Sequence, residues 1–215
     1  MSAIPWLGES IVKWLWGGFS VSNATLSRFF SLHFALPFIL SALVVAHIIL
    51  LHEPGSSNPV GLKSNLDKMT FHPFFSFKDL LAPSFILSLL MIWMMLDPFI
   101  LGDPENFNPA NPMATPIHIQ PEWYFLFAYA ILRSTPNKLG GVVALVMSIF
   151  ILFFLPLSKK MTSSCKFSPL KSAIFWGLTF SFMILTWGGA KPIEPPFESV
   201  MQLFSILYFC FMSLN

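Results

Sequence analysis

The sequence predicts an all-α membrane protein, a transmembrane helical bundle of about five spanning helices plus short interfacial helices. Three observations carry this. Of 215 residues, 55% are hydrophobic and only 10% charged, against about 25% charged in ordinary soluble domains. The chain holds 25 Phe and 7 Trp, more apolar surface than a core of this size can hide. The apolar residues also fall into runs approaching the ~20 that cross a bilayer. The competing reading is a very greasy subunit buried inside a soluble assembly. The formal net charge of +2 gives no electrostatic footprint for nucleic acid.

The elements follow in order. Residues 1–20 form an interfacial segment. Within it, residues 5–16 carry Trp6, Trp14 and Trp16 beside Glu9 and Lys13, the composition of a short helix lying where indole rings prefer to sit. The first residues, Met1-Ser2-Ala3-Ile4-Pro5, lack the charged-then-apolar pattern of a signal peptide and the arginines of a transit peptide. Ser22 or Asn23 suits the cap of the first span, although Asn23-Ala24-Thr25 also matches a glycosylation acceptor. Spans are expected over residues 29–51, 80–96, 142–157, 173–187 and 200–214. Several are short, so flanking residues must extend them or the bilayer must thin. Residues 21–98 hold the first two spans and their loop, 99–138 a long connection, and 139–215 the last three spans. That connection contains a hydrophobic island, 123–132, too short to span and expected to dip into the protein or interface as a short helix. No internal repeat is visible. Cys165 and Cys210 lack metal-like spacing and imply no disulfide framework.

Charge sets the orientation. Loops 52–79 and 158–171 hold Lys63, Lys68, Lys78, Lys159, Lys160, Lys166 and Lys171. The N-terminal segment, loop 97–138 and loop 188–199 carry most of the acidic residues. The lysine-rich side is therefore expected to face the electrically negative compartment.

His33 and His47 lie fourteen residues apart in the first span. At about 100° and 1.5 Å per residue they share one helical face, roughly 21 Å apart along the axis. Ionisable groups inside a membrane are costly and usually functional. Two imidazoles so placed suit two cofactors stacked across the bilayer, each taking one axial nitrogen. A pair of hydrogen-bonded core histidines, or a proton relay, fits the spacing too. Pro37, one turn after His33, should bend the helix.

Further residues bring a family into view. Phe30-Ser31-Leu32-His33-Phe34 through His47, His52-Glu53-Pro54-Gly55-Ser56-Ser57-Asn58-Pro59, and Phe71-His72-Pro73 with Lys78-Asp79 resemble cytochrome b of the quinol–cytochrome c reductase. The most specific stretch is Pro121-Glu122-Trp123-Tyr124-Phe125-Leu126-Phe127-Ala128-Tyr129-Ala130-Ile131-Leu132-Arg133-Ser134, followed by Pro136-Asn137-Lys138-Leu139-Gly140-Gly141. The resemblance covers residues 2 to about 214 and is mitochondrial in type. The split chloroplast relative breaks after its histidine-bearing helix and spaces its histidines one residue further apart. Both differences favour the respiratory form.

The resemblance implies two haem b groups, the low-potential one on His33 and the high-potential one on His47, with Arg28 either pairing a haem propionate or anchoring at the interface. It implies that Glu122 is the proton acceptor for quinol oxidation, with Tyr124, Phe125 and Tyr129 lining the pocket. Physically, proline at a helix start and glutamate in its first turn are favourable anyway. The added expectation is a buried, titratable carboxylate between aromatic walls. It implies a quinone-reduction site at His52, Ser56, Lys78 and Asp79, groups whose helix-end positions capping alone could explain. His72 and His118 are expected to be loop structure. The family has three earlier spans, one of which carries the second histidine for each haem; their absence here implies a partner chain or a fragment, the C-terminal part of a cytochrome b. The implied setting is a dimeric complex of the mitochondrial inner membrane, with an N-terminal cytochrome b portion, a Rieske iron–sulfur protein and a cytochrome c1-type subunit as partners and ubiquinol as substrate. The rivals are a transporter or proton relay without haem, and a redox-inactive scaffold fragment.

Overall fold

The computed structural model describes residues 1–56, 58–111, 113–117, 119–157 and 165–214, and is helical with no strand among them. Among the described residues, five helices are long and apolar enough to cross a membrane. The chain divides into two units, Met1–Val60 with Ala110–Asn215, and Gly61–Pro109.

The first unit opens on α1 (Gly8–Trp16), with Glu9 in its first turn and Lys13 in its last, each complementing the helix dipole. It ends at Gly17, whose φ of 72° and N–H to the Lys13 carbonyl form a left-handed C-cap. α2 (Asn23–His52) begins at Ser22, as the capping residues suggest, where the Ser22 N–H donates to Thr25 Oγ1 at 3.3 Å. The first turns of α2 close the end of α1. Thr25 Oγ1 donates to the Trp16 carbonyl at 2.7 Å, and Arg28 Nη1 donates to the carbonyls of Trp14 and Leu15 at 2.6 and 3.2 Å. These are helix-terminal acceptors without a partner of their own.

α2 runs for 30 residues, about 45 Å at 1.5 Å per residue. The hydroxyls of Ser27, Ser31 and Ser41 each donate to the carbonyl four residues back at 2.8 Å. That satisfies them inside an apolar segment. Apart from Thr25, α2 buries nothing within the chain.

The core of this unit lies elsewhere. The hydrophobic island becomes a short 3₁₀ turn, Trp123–Phe125, running into α4 (Leu126–Ser134). α4 packs against α5 (Lys138–Phe150), α6 (Pro169–Gly189) and α7 (Phe197–Leu214). α5 continues as a 3₁₀ stretch, Ile151–Leu157, to complete its span. Ile131 of α4 and Leu185 of α6 are fully buried, with Ala130, Met201, Tyr208 and Met212 around them. Backbones come close: a Cβ on Gly189 would collide with the Leu126 carbonyl, and one on Gly141 with that of Leu132. Polar groups bridge the helices. Ser134 and Ser205 hydroxyls meet at 2.9 Å, and Tyr208 Oη donates to the Ser148 carbonyl at 2.8 Å. Small residues and buried hydroxyls are the usual cement of membrane helices.

The second unit holds α3 (Phe74–Leu96), which ends where the Asp97 N–H donates to the Trp93 carbonyl. At 23 residues it measures about 35 Å, enough for a ~30 Å hydrocarbon core. A 3₁₀ turn, Pro104–Phe107, follows, capped by the Asp103 carboxylate accepting from the Glu105 N–H at 2.9 Å. Phe107 meets Phe99 edge-on at 5.1 Å.

Candidate functional site

His33 and His47 stand on the one continuous helix α2, and fourteen residues bring them back to one face. Both are exposed, and neither ring makes a hydrogen bond among the described residues. Neither ring thus has a hydrogen-bonding partner among the described residues, and each leaves its ring nitrogens open to a group from outside them. No cluster of three or more His, Cys, Asp or Glu side chains able to hold a metal exists among the described residues, so each histidine offers one bond. Pro37 has no N–H to give the His33 carbonyl, so α2 lacks one helical bond beside the first site. Arg28, five residues before His33, holds the end of α1 through Nη1, a role that the sequence does not reveal.

The second constellation is built on α4. Glu122 caps the 3₁₀ turn, its carbonyl accepting from the Phe125 N–H at 2.9 Å. It is half-buried rather than enclosed, because the three rings after it turn outward. Trp123, Tyr124 and Phe125 are each about half exposed (51–55%). They meet edge-on in sequence, Trp123 to Tyr124 at 5.6 Å and Tyr124 to Phe125 at 4.8 Å. One turn on, Tyr129 Oη donates to the Ile119 carbonyl at 3.3 Å, tying α4 to the strand of chain that leads into Pro121-Glu122. The Arg133 guanidinium lies over the Tyr129 ring at 4.9 Å. Glu122, Tyr124, Phe125 and Tyr129 therefore belong to one local assembly. By sequence Arg133 is only another charge within the longest loop; an arginine four residues after a tyrosine, inside an apolar island, was the signal available.

The third group divides between the two units. His52 is the last residue of α2, and Ser56 is exposed just past Gly55, whose φ of 78° turns the chain. Lys78 and Asp79 lie in the second turn of α3. His72 sits before α3 as loop structure, its Nδ1 3.1 Å from Ser76 Oγ. His118, Lys159 and Lys160 lie outside the described residues.

Five apolar helices long enough to cross a membrane, a histidine pair on one of them and a proline–glutamate–aromatic turn leading into the short α4 define a multi-pass membrane protein with two candidate sites. Residues 1–104 match the family described as cytochrome b(N-terminal)/b6/petB, and residues 109–209 match cytochrome b(C-terminal)/b6/petD. Taken together, the two halves of the family cover nearly the whole sequence, and the chain belongs to the cytochrome b/b6 family. It is similar to a chain of the hyperthermophilic respiratory Complex III, at 34% identity and a TM-score of 0.88 over 98% of its residues. It spans 56% of that chain's length.

Proposed function

We propose that the chain is the C-terminal part of the cytochrome b subunit of a quinol–cytochrome c reductase in the mitochondrial inner membrane. It would carry one axial ligand for each of two b haems and parts of both quinone sites. The observation that carries this reading is the pair of exposed, unpartnered imidazoles on one face of α2, in a chain of this family. α3, α5, α6 and α7 contain no histidine, so the second ligand of each haem comes from outside these 215 residues, from the N-terminal portion of cytochrome b.

The residues act as follows. His33 and His47 would each offer one ring nitrogen to a haem b. Bound there, haem b supplies one-electron transfer along the helix, while a Rieske iron–sulfur partner beside a cytochrome c1-type subunit takes the other electron. At the positive side, Glu122 accepts a proton from ubiquinol and releases it outward, its half-exposed position opening a route to water. Tyr124, Phe125 and Tyr129 wall the pocket with ring faces and edges. For quinone reduction, His52 at the end of α2 can relay protons and Ser56 can hydrogen-bond; in α3, Lys78 and Asp79 are the further proton-relaying groups. Protons are thereby taken up on one face and released on the other.

The test is steady-state quinol oxidation by the assembled complex carrying Glu122→Gln. Slowed turnover with unchanged haem content supports the reading. Wild-type turnover favours the rival of a redox-inactive scaffold.

A further inference from the structure

We infer that Arg133 is a positioning residue for the quinol pocket. It locks Tyr129, and through it the segment bearing Glu122, to the end of α6. This rests on reading the Glu122 turn as the quinol-oxidation site.

The geometry forms one connected path. Arg133 Nη1 donates to the Gly189 carbonyl at 3.1 Å, and Nη2 donates to the Lys191 carbonyl at 2.7 Å. Gly189 is the last residue of α6, so the guanidinium sits at the negative end of that helix dipole. A planar fork can grip two carbonyls at once; an ammonium cannot hold the same register. The chain beyond is itself pinned, with Lys191 Nζ over the Trp187 ring at 5.3 Å. Held on that side, the guanidinium covers the Tyr129 ring at 4.9 Å. Tyr129 Oη then reaches the Ile119 carbonyl at 3.3 Å, two residues before Pro121.

Arg133 touches none of the expected reacting atoms, yet its polar contacts join the end of α6 to the segment before Glu122 through the tyrosine beneath it. Its Nε–H is buried without an acceptor, beside a cleft lined by Ala130, Ser134, Gly188, Phe197 and Met201. A buried donor left unmatched is costly. A packing role alone would not call for a guanidinium here, whereas a two-carbonyl clamp over a ring does.

The test uses the assembled complex with Arg133→Lys, Tyr129→Phe, the double variant and Glu122→Gln, read by KM and kcat for quinol and by haem content. A misplaced pocket wall weakens substrate positioning, so Arg133→Lys should raise KM about tenfold, with haem content unchanged. Tyr129→Phe keeps the ring but loses the Ile119 bond and should raise KM comparably. The double variant should be no worse than the worse single one, since both act along one path. A wild-type KM in Arg133→Lys with only reduced assembly shows a purely structural role and overturns the inference, as does additivity in the double variant. If Arg133→Lys fails to assemble, Tyr129→Phe decides alone, and an unchanged KM there overturns it. Wild-type turnover in Glu122→Gln overturns the site reading and this inference with it. A slowed Glu122→Gln beside a wild-type KM in the other variants overturns the inference only.

Discussion

Glu122 and Arg28 show how the surroundings of a charged residue decide its use. Glu122 sits at the start of a turn, half-buried, before three half-exposed rings. A half-buried carboxylate there keeps access to water. Glu122→Gln keeps shape and hydrogen bonding but removes the base, so quinol oxidation should fall by roughly 10- to 100-fold, measured as turnover per haem. Arg28 instead satisfies two carbonyls at the end of α1. Arg28→Ala leaves those acceptors to water, and should loosen α1 by about 1–3 kcal/mol, seen as faster proteolysis or hydrogen exchange of residues 8–16. If haem content falls instead while α1 stays protected, Arg28 serves the haem. The histidine pair was legible from spacing alone, since both residues lie on one helix. The partner of Arg28 was not, because the contact joins residues fourteen apart through the turn at Gly17.

At the scale of elements, apolar run length located the five spans but not their beginnings. α2 starts at Asn23 and α3 at Phe74, six residues before the apolar cores, because first turns tolerate Ser, Thr, Arg, Lys and Asp that a hydropathy reading discards. The island at 123–132 reads as a short helix, and it is one. That α4 is the hub of its unit could not be read from nine residues, since period alone does not separate a buried short helix from an interfacial one. The close approaches were equally hidden. Gly189→Val would drive a side chain into the Leu126 carbonyl and push α6 from α4. Such overpacking costs about 1–3 kcal/mol, and should lower the thermal midpoint of the complex and disturb the Arg133 clamp on the Gly189 carbonyl. Gly18→Val, at a glycine with open space around it, is the control that should leave the midpoint in place.

For the whole molecule, family membership and length set the frame: the sequence matches both halves of the cytochrome b family and 56% of the length of its solved relative. Topology then makes a prediction within the second unit alone. Lys63 precedes α3 and Asn106 follows it, so one span separates them. Cysteines placed at these positions should react with a membrane-impermeant thiol reagent from opposite faces, Lys63→Cys from the lysine-rich, negative side. Labelling of both from one face would remove α3 as a span.

The account turns on His33 and His47 as haem ligands. The direct measurement is the reduced-minus-oxidised absorption of the purified complex in the α-band region, for the unaltered chain, His33→Ala and His47→Ala. A two-component b-type signal is expected, with a different component lost in each variant. An unaltered complex without a b-type signal, or variants that keep both components, would contradict it.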